Sequence, residues 1–190
     1  MAGLAAPLFR ARATSRLTVT SDGDNLHVAA PELHFLTGKP LSRLKDGAAV
    51  VFLAQLTLLH EDHTTEFRHA QERLTVSYDV WEEDKFSVVL GVERRSVSRV
   101  SAPAAEAWCL ENLAISALGL APDRAFWLRL DLHAADSREF SGVVGDSGVS
   151  MTRLIEALSR KPQSDEGHWT GEAGPLRLAD LPRAARRTRG

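Results

Sequence analysis

RLTVSYDVWEEDKFSVVLGV, residues 73–92, alternates apolar and polar side chains in two runs. Leu74, Val76, Tyr78 and Val80 interleave with Arg73, Thr75, Ser77 and Asp79. After Glu82-Glu83-Asp84 the alternation resumes at Phe86, Val88, Leu90 and Val92. A period of two places successive side chains on opposite faces of a strand. Two such runs joined by a short polar segment predict an antiparallel hairpin with one buried face.

The flanking sequence extends this hairpin into a meander. Residues 48–59 are the most apolar run, with Val50, Phe52, Ala54, Leu56 and Leu58 in phase while Gln55 and Thr57 fall on the other face. Their β-branched and aromatic content favours a central strand over a buried helix. His60-Glu61-Asp62-His63-Thr64-Thr65 is a polar turn, and residues 66–80 form a long strand with a bulge expected near His69-Ala70. Residues 85–94 complete the three-stranded unit. Upstream, residues 16–20 and 26–30 flank Asp22-Gly23-Asp24-Asn25, a strong turn signal, giving a first hairpin. Leu41 to Asp46 reads as a single helical turn stopped by Gly47.

The period then changes. Ser101 and Pro103 open a helix expected to run over residues 103–118, closed by Gly119. Phe126, Leu128, Leu130 and Leu132 alternate with Trp127, Arg129, Asp131 and His133, another half-buried strand. A short strand is expected within 140–144. Met151, Leu154, Ile155 and Leu158 carry the spacing of a second amphipathic helix, over 149–160. Residues 162–175 read as a Gly- and Pro-rich loop in which Trp169 folds back as an anchor. Leu176, Leu178 and Leu181 suit a last short strand. The predicted class is α+β: a β-rich antiparallel sheet or sandwich of six to eight strands with two packed helices. One domain spans residues 16–182, between a mobile tail (1–15) and a basic tail (183–190).

Composition excludes several function classes. The 190 residues carry a net charge of −2, which gives no overall field to attract nucleic acid. Arg183, Arg186, Arg187 and Arg189 cluster without interleaved aromatics and read as a solubilising end. No apolar run is long enough for a transmembrane helix. Cys109 is the sole cysteine, so internal disulfides and Cys-x-x-Cys motifs are ruled out. Its place after Trp108 on a helix marks it as a small buried hydrophobe. Ala11-Arg12-Ala13 has the form of a cleavage site, but the preceding apolar run, Gly3 to Phe9, is short and has no basic start. An intact signal peptide is not expected.

Two groups bear on chemistry. His60, Glu61 and His63, with Glu66 and His69 nearby, offer imidazole and carboxylate ligands of the kind zinc accepts. Their spacing is not that of a helical His-Glu-x-x-His site, and the ordinary reading is a solvated turn. Asp131 and His133 share a strand face with Arg129 and Trp127 and suit acid–base work if a nucleophile is near. No Gly-x-Ser-x-Gly elbow supplies one, so a polar outer face is the ordinary reading. Gly142, Gly145 and Gly148 match neither a dinucleotide fingerprint nor a phosphate loop.

The order of elements also resembles a known family. Residues 41–47 run into Val50-Val51-Phe52-Leu53 as a helical turn, a glycine and an apolar strand. Residues 73–79 resemble that family's Leu-Ser-Tyr strand, residues 104–107 stand at its helix, and residues 154–160 with His168-Trp169 resemble its closing helix and aromatic. The family is the uncharacterised bacterial one called domain of unknown function 4390. The resemblance implies an exported, envelope-associated protein without assigned activity or catalytic residues; without it the chain reads as cytoplasmic. The resulting expectation is a non-catalytic binding or accessory module with no cofactor, meeting a protein partner at an open sheet edge. The alternatives are a metal-dependent or hydrolytic enzyme using the His60–His63 cluster, and a carrier of a small apolar ligand.

Overall fold

A computed structural model of the chain describes residues 14–91, 95–135 and 167–184. The strands are β1 (Ser15–Arg16), β2 (Thr18–Ser21), β3 (Asn25–Ala29), β4 (Val50–Leu59), β5 (Glu66–Tyr78), β6 (Phe86–Leu90), β7 (Arg95–Val100), β8 (Ala114–Ser116), β9 (Phe126–Ala135) and β10 (His168–Leu176). The helices are α1 (Gly38–Lys45) and α2 (Ala102–Glu111). A seven-stranded sheet runs β1-β10-β9-β4-β5-β6-β7, and a three-stranded sheet runs β2-β3-β8. The fold is therefore α+β and mostly strands. All pairings within the sheets are antiparallel except β1 with β10. No helix among the described residues is long and apolar enough to cross a membrane.

The meander forms as the alternation predicts. Val50 pairs with Val76, Phe52 with Leu74, and Val76 with Val88. On the other side of β4, Leu56 faces Leu130 and Leu58 faces Leu128. These side chains form the inner face of the large sheet and are all buried. One apolar cluster joins them to Leu26 and Val28 of β3, Leu110 of α2 and Ile115 of β8. Phe35 closes this core, edge-on to Phe52 at 5.0 Å and to Trp169 at 6.2 Å.

Several local expectations are corrected. The helix expected over 103–118 stops at Glu111, where the Asn112 side chain donates to the Trp108 carbonyl at 2.7 Å. The residues beyond extend, because the β-branched Ile115 reaches the core by pairing opposite Leu26. Residues 95–100 form the edge strand of the large sheet. The presumed loop holding Trp169 is the start of β10, whose alternation is hidden by Gly171 and Gly174. Leu178–Asp180 is a 3-10 turn instead of a strand. The bulge falls opposite Leu58 and Leu59, before His69. Ser15 pairs with Gly171 and Arg183 bridges Ser21, so both are tied into sheets where tails were expected. Residues 1–13 and 185–190, the expected strand within 140–144, the glycines at 142, 145 and 148 and the expected helix over 149–160 lie outside the described residues.

A buried carboxylate holds the layer over the core in place. Glu106 of α2 is 5% exposed. Its Oε1 accepts the backbone N–H groups of Phe35 and Leu36, both at 2.7 Å, and its Oε2 meets His34 Nδ1 at 2.9 Å. Glu106→Ala leaves two buried N–H groups unmet and should lower the unfolding free energy by about 3 kcal/mol. Glu106→Gln keeps a carbonyl acceptor and should cost about half as much. Equal losses in urea unfolding would rule out the acceptor role.

The β2–β3 turn carries a second charged cap. Asp22 Oδ1 accepts from the Asp24 and Asn25 N–H groups at 3.1 and 2.8 Å, and Oδ2 meets His27 Nε2 at 3.0 Å. The His27 contact and these N–H donors lower the Asp22 carboxyl from 3.8 to about 2. A depressed folded pKa stabilises above the unfolded value, and that stabilisation disappears as pH falls through the folded one. The side chain is 39% exposed, so Asp22→Asn should cost under about 1 kcal/mol at pH 7. Unfolding measured from pH 7 downward should show that difference shrinking between about pH 4 and pH 2; a constant difference would contradict the ionic origin.

Candidate functional site

On β9 and β10 the outer face of the large sheet is mainly polar, whereas on the neighbouring β4 it carries the buried Leu53 and Leu59 opposite His133 and Trp127. On β9 the outward residues are Trp127, Arg129, Asp131 and His133, as their phase with the buried leucines requires. On β10 they are His168, Thr170 and Glu172, because Trp169, Gly171 and Ala173 take the inward positions. Register then decides neighbours: His168 lies opposite His133, Thr170 opposite Asp131, and Glu172 opposite Arg129. Directly opposed antiparallel residues hold their side chains in contact range.

Three of these side chains converge. Asp131, His133 and His168 each bring one ligand-type atom to within 4.8 Å of the others. The His133 and His168 rings stack, with centroids 3.9 Å apart and planes 7° from parallel. His168 Nε2 lies 3.1 Å from Asp131 Oδ1. An ionised carboxylate only accepts, so Nε2 carries the proton in this contact and Nδ1 keeps its lone pair. That Nδ1 is buried and has no hydrogen-bond partner among the described residues. The His168 side chain is 12% exposed and that of Asp131 is 27% exposed, so the cluster is half-sunk but open to solvent.

Two imidazoles and a carboxylate form a donor set for zinc and related divalent ions. Metal–ligand bonds of about 2.0–2.2 Å require ligand atoms roughly 3–3.5 Å apart. The Asp131–His168 pair meets that spacing at 3.1 Å, and all three ligand atoms lie within 4.8 Å of one another.

A second polar group lies one pleat away. Glu172 Oε1 accepts from His63 Nε2 at 2.7 Å and from Arg129 Nε and Nη2, both at 3.2 Å. The His63 ring also rests on Trp127 with centroids 4.2 Å apart. His63 takes a positive φ of 61° in a turn capped by Asp62, whose Oδ1 accepts the Thr64 and Thr65 N–H groups. The hydrogen bonds from Thr65 and Thr64 hold the Asp62 carboxyl far below its ordinary range.

The structure does not bring the His60–His63 cluster together. The His60 ring packs edge-on to Phe67 at 5.5 Å, on the β5 side, whereas His63 turns toward β9 and β10. Glu61 is exposed and, with His60, Asp62, Thr65 and Arg124, lines a shallow, open depression. His69 pairs instead with Glu66. Among the described residues, Asp131, His133 and His168 are the one group of three with metal-ligand proximity. Asp131 and His133 were legible as a shared strand face. His168 is hidden, because Gly171, Gly174 and Pro175 give its strand the composition of a loop; its alternation with Thr170 and Glu172 is the signal that marks the strand. Cys109 is buried, and that burial and the nearby Glu106 push its thiol up to about 12, which makes it unreactive.

No family model, curated protein or solved structure matches this chain, so the site rests on its own geometry.

Gly174 sets the position of the Trp127 ring against which His63 lies. A Cβ at residue 174 would come within 2.4 Å of Trp127 Cδ2 and Cε3. Gly174→Ala should therefore displace the indole and destabilise the fold by about 1–3 kcal/mol in urea unfolding. A neutral substitution would show that the ring packs elsewhere.

Proposed function

We propose that this chain is a metal-binding β-rich module, non-catalytic in itself, that holds a divalent transition ion with Asp131, His133 and His168. The carrying observation is the convergence of these three donors on the outer face of two directly paired strands. Paired strands set donors more precisely than a turn does, which favours this triad over His60, Glu61 and His63. In the bound state His168 takes its other tautomer, the proton passing through solvent to Nδ1, so that the Nε2 lone pair faces the ion beside Asp131 Oδ1 and the stacked rings tilt apart. Protons compete for the same imidazoles, so affinity falls as pH is lowered. The partial exposure of Asp131 suits a module that presents its ion to a partner or ligand. The expected protein partner and envelope location belong to the same reading, on the strength of the family resemblance given above.

The test is Co²⁺ titration of the chelator-stripped full chain, followed by visible absorption and by competition with Zn²⁺. The wild type should show one ligand-field spectrum that saturates at one equivalent. His168→Ala, His133→Ala and Asp131→Asn should each weaken binding at least about tenfold. His60→Ala should change it less than about twofold. Zn²⁺ at a hundred times its dissociation constant should add about 2.7 kcal/mol of stability. A silent titration, or equal affinity in all four variants, would sink the proposal.

A further inference from the structure

We infer that the metal-loaded face binds a small oxyanion, a phosphate or a carboxylate, between the ion and Arg129. This rests on the metal reading above and adds the ligand class to it. Arg129 and Asp131 are two residues apart on β9 and share a face, so their side chains rise about 7 Å apart. A metal–oxygen bond of about 2 Å and a charge-assisted hydrogen bond of about 2.8 Å, with one oxyanion edge between them, span that pitch.

The arginine is poised and incompletely used. A guanidinium has five N–H donors in a planar fork. Arg129 turns Nε and Nη2 on the single oxygen Oε1 of Glu172, and Nη1 meets no partner among the described residues. Its side chain is 39% exposed, and it is backed by Glu172, which His63 holds from the far side. The fork is thus held in place at one edge and open at the other. Arginine is the residue whose geometry suits bidentate carboxylate or phosphate recognition.

Charge points the same way. Without an ion, Asp131 and Glu172 outweigh Arg129 and the face repels anions. A divalent ion reverses that balance, so anion affinity should depend on metal occupancy. The half-buried setting strengthens the attraction relative to bulk water.

The experiment uses the full chain saturated with Co²⁺, its occupancy verified by absorption in every variant. Inorganic phosphate and acetate are titrated separately, at concentrations below cobalt phosphate precipitation. The expected result is a change in the ligand-field spectrum that saturates with at least one of the two, and the saturating anion identifies the headgroup. Arg129→Gln should weaken that anion at least about tenfold, and Arg129→Lys should recover little of the loss. Lys45→Gln, which removes a remote positive charge, should not. Glu172→Gln, which releases the fork, should tighten anion binding, and this opposite sign separates recognition from misfolding. If Co²⁺ binds but neither anion alters the spectrum, or Arg129→Gln binds as the wild type does, the anion inference fails and the metal reading stands. If Co²⁺ does not bind the wild type, both fail.

Discussion

The Glu106 carboxylate is the contact on which the arrangement of the layers depends. It is buried, and each of its oxygens is used: one by two backbone N–H groups, the other by His34. A carboxylate taken out of water is tolerated only when its lone pairs are met, and here main chain from a distant loop meets them. The loop between β3 and α1 is thereby fixed to α2. That fixes Phe35, whose ring lies against Phe52 of the central strand and Trp169 of β10. Trp169 adjoins His168 in the chain and points to the opposite side of the sheet. A line of contacts therefore runs from a helix on one side of the molecule to a metal-type donor on the other.

The two faces of the large sheet divide the work between them. The inner face is apolar and continuous with the core, so it determines where β9 and β10 lie. The outer face inherits that placement. On β9 and β10 it carries Asp131, His133 and His168, whose mutual positions follow from the register of the two strands. Glu172 ties His63 to Arg129 and links the β4–β5 turn to the β9–β10 pair. The polar face thus has a cross-link of its own, independent of the core beneath it.

What the sequence revealed followed the strength of its periodicity. The runs at β4, β5, β6 and β9 are long, alternate cleanly and were read with their correct faces, including Asp131 and His133. Strand β10 was missed because Gly171 and Gly174 stand where an alternating pattern needs side chains, although both are there for close packing: a Cβ at residue 171 would strike Leu17, and one at residue 174 would strike Trp127. Strand β8 was missed because Ala114-Ile115-Ser116 continues a helical composition, and its pairing with β3 outweighs that local preference. Strand β7 is an edge strand rich in Ser and Arg, with little apolar signal, and Arg99 takes a positive φ of 59° there. The metal-type cluster was half legible for the same reason: one strand carrying it could be read and the other could not.

The order of strands has a consequence for how the protein is made. Asp131 and His168 are 37 residues apart, and β10 also pairs with β1 at the start of the chain. During synthesis β9 emerges with one edge unsatisfied, and β1 has no neighbour until β10 leaves the ribosome. Both edges are sites for mispairing with other chains in that interval. Closing the sheet requires contacts between distant parts of the chain, which makes it a late and slow step. The same step delivers His168 to Asp131 and His133. The triad therefore exists only on a chain that has been translated through β10 and has closed its sheet, and a truncated or misregistered product would lack it.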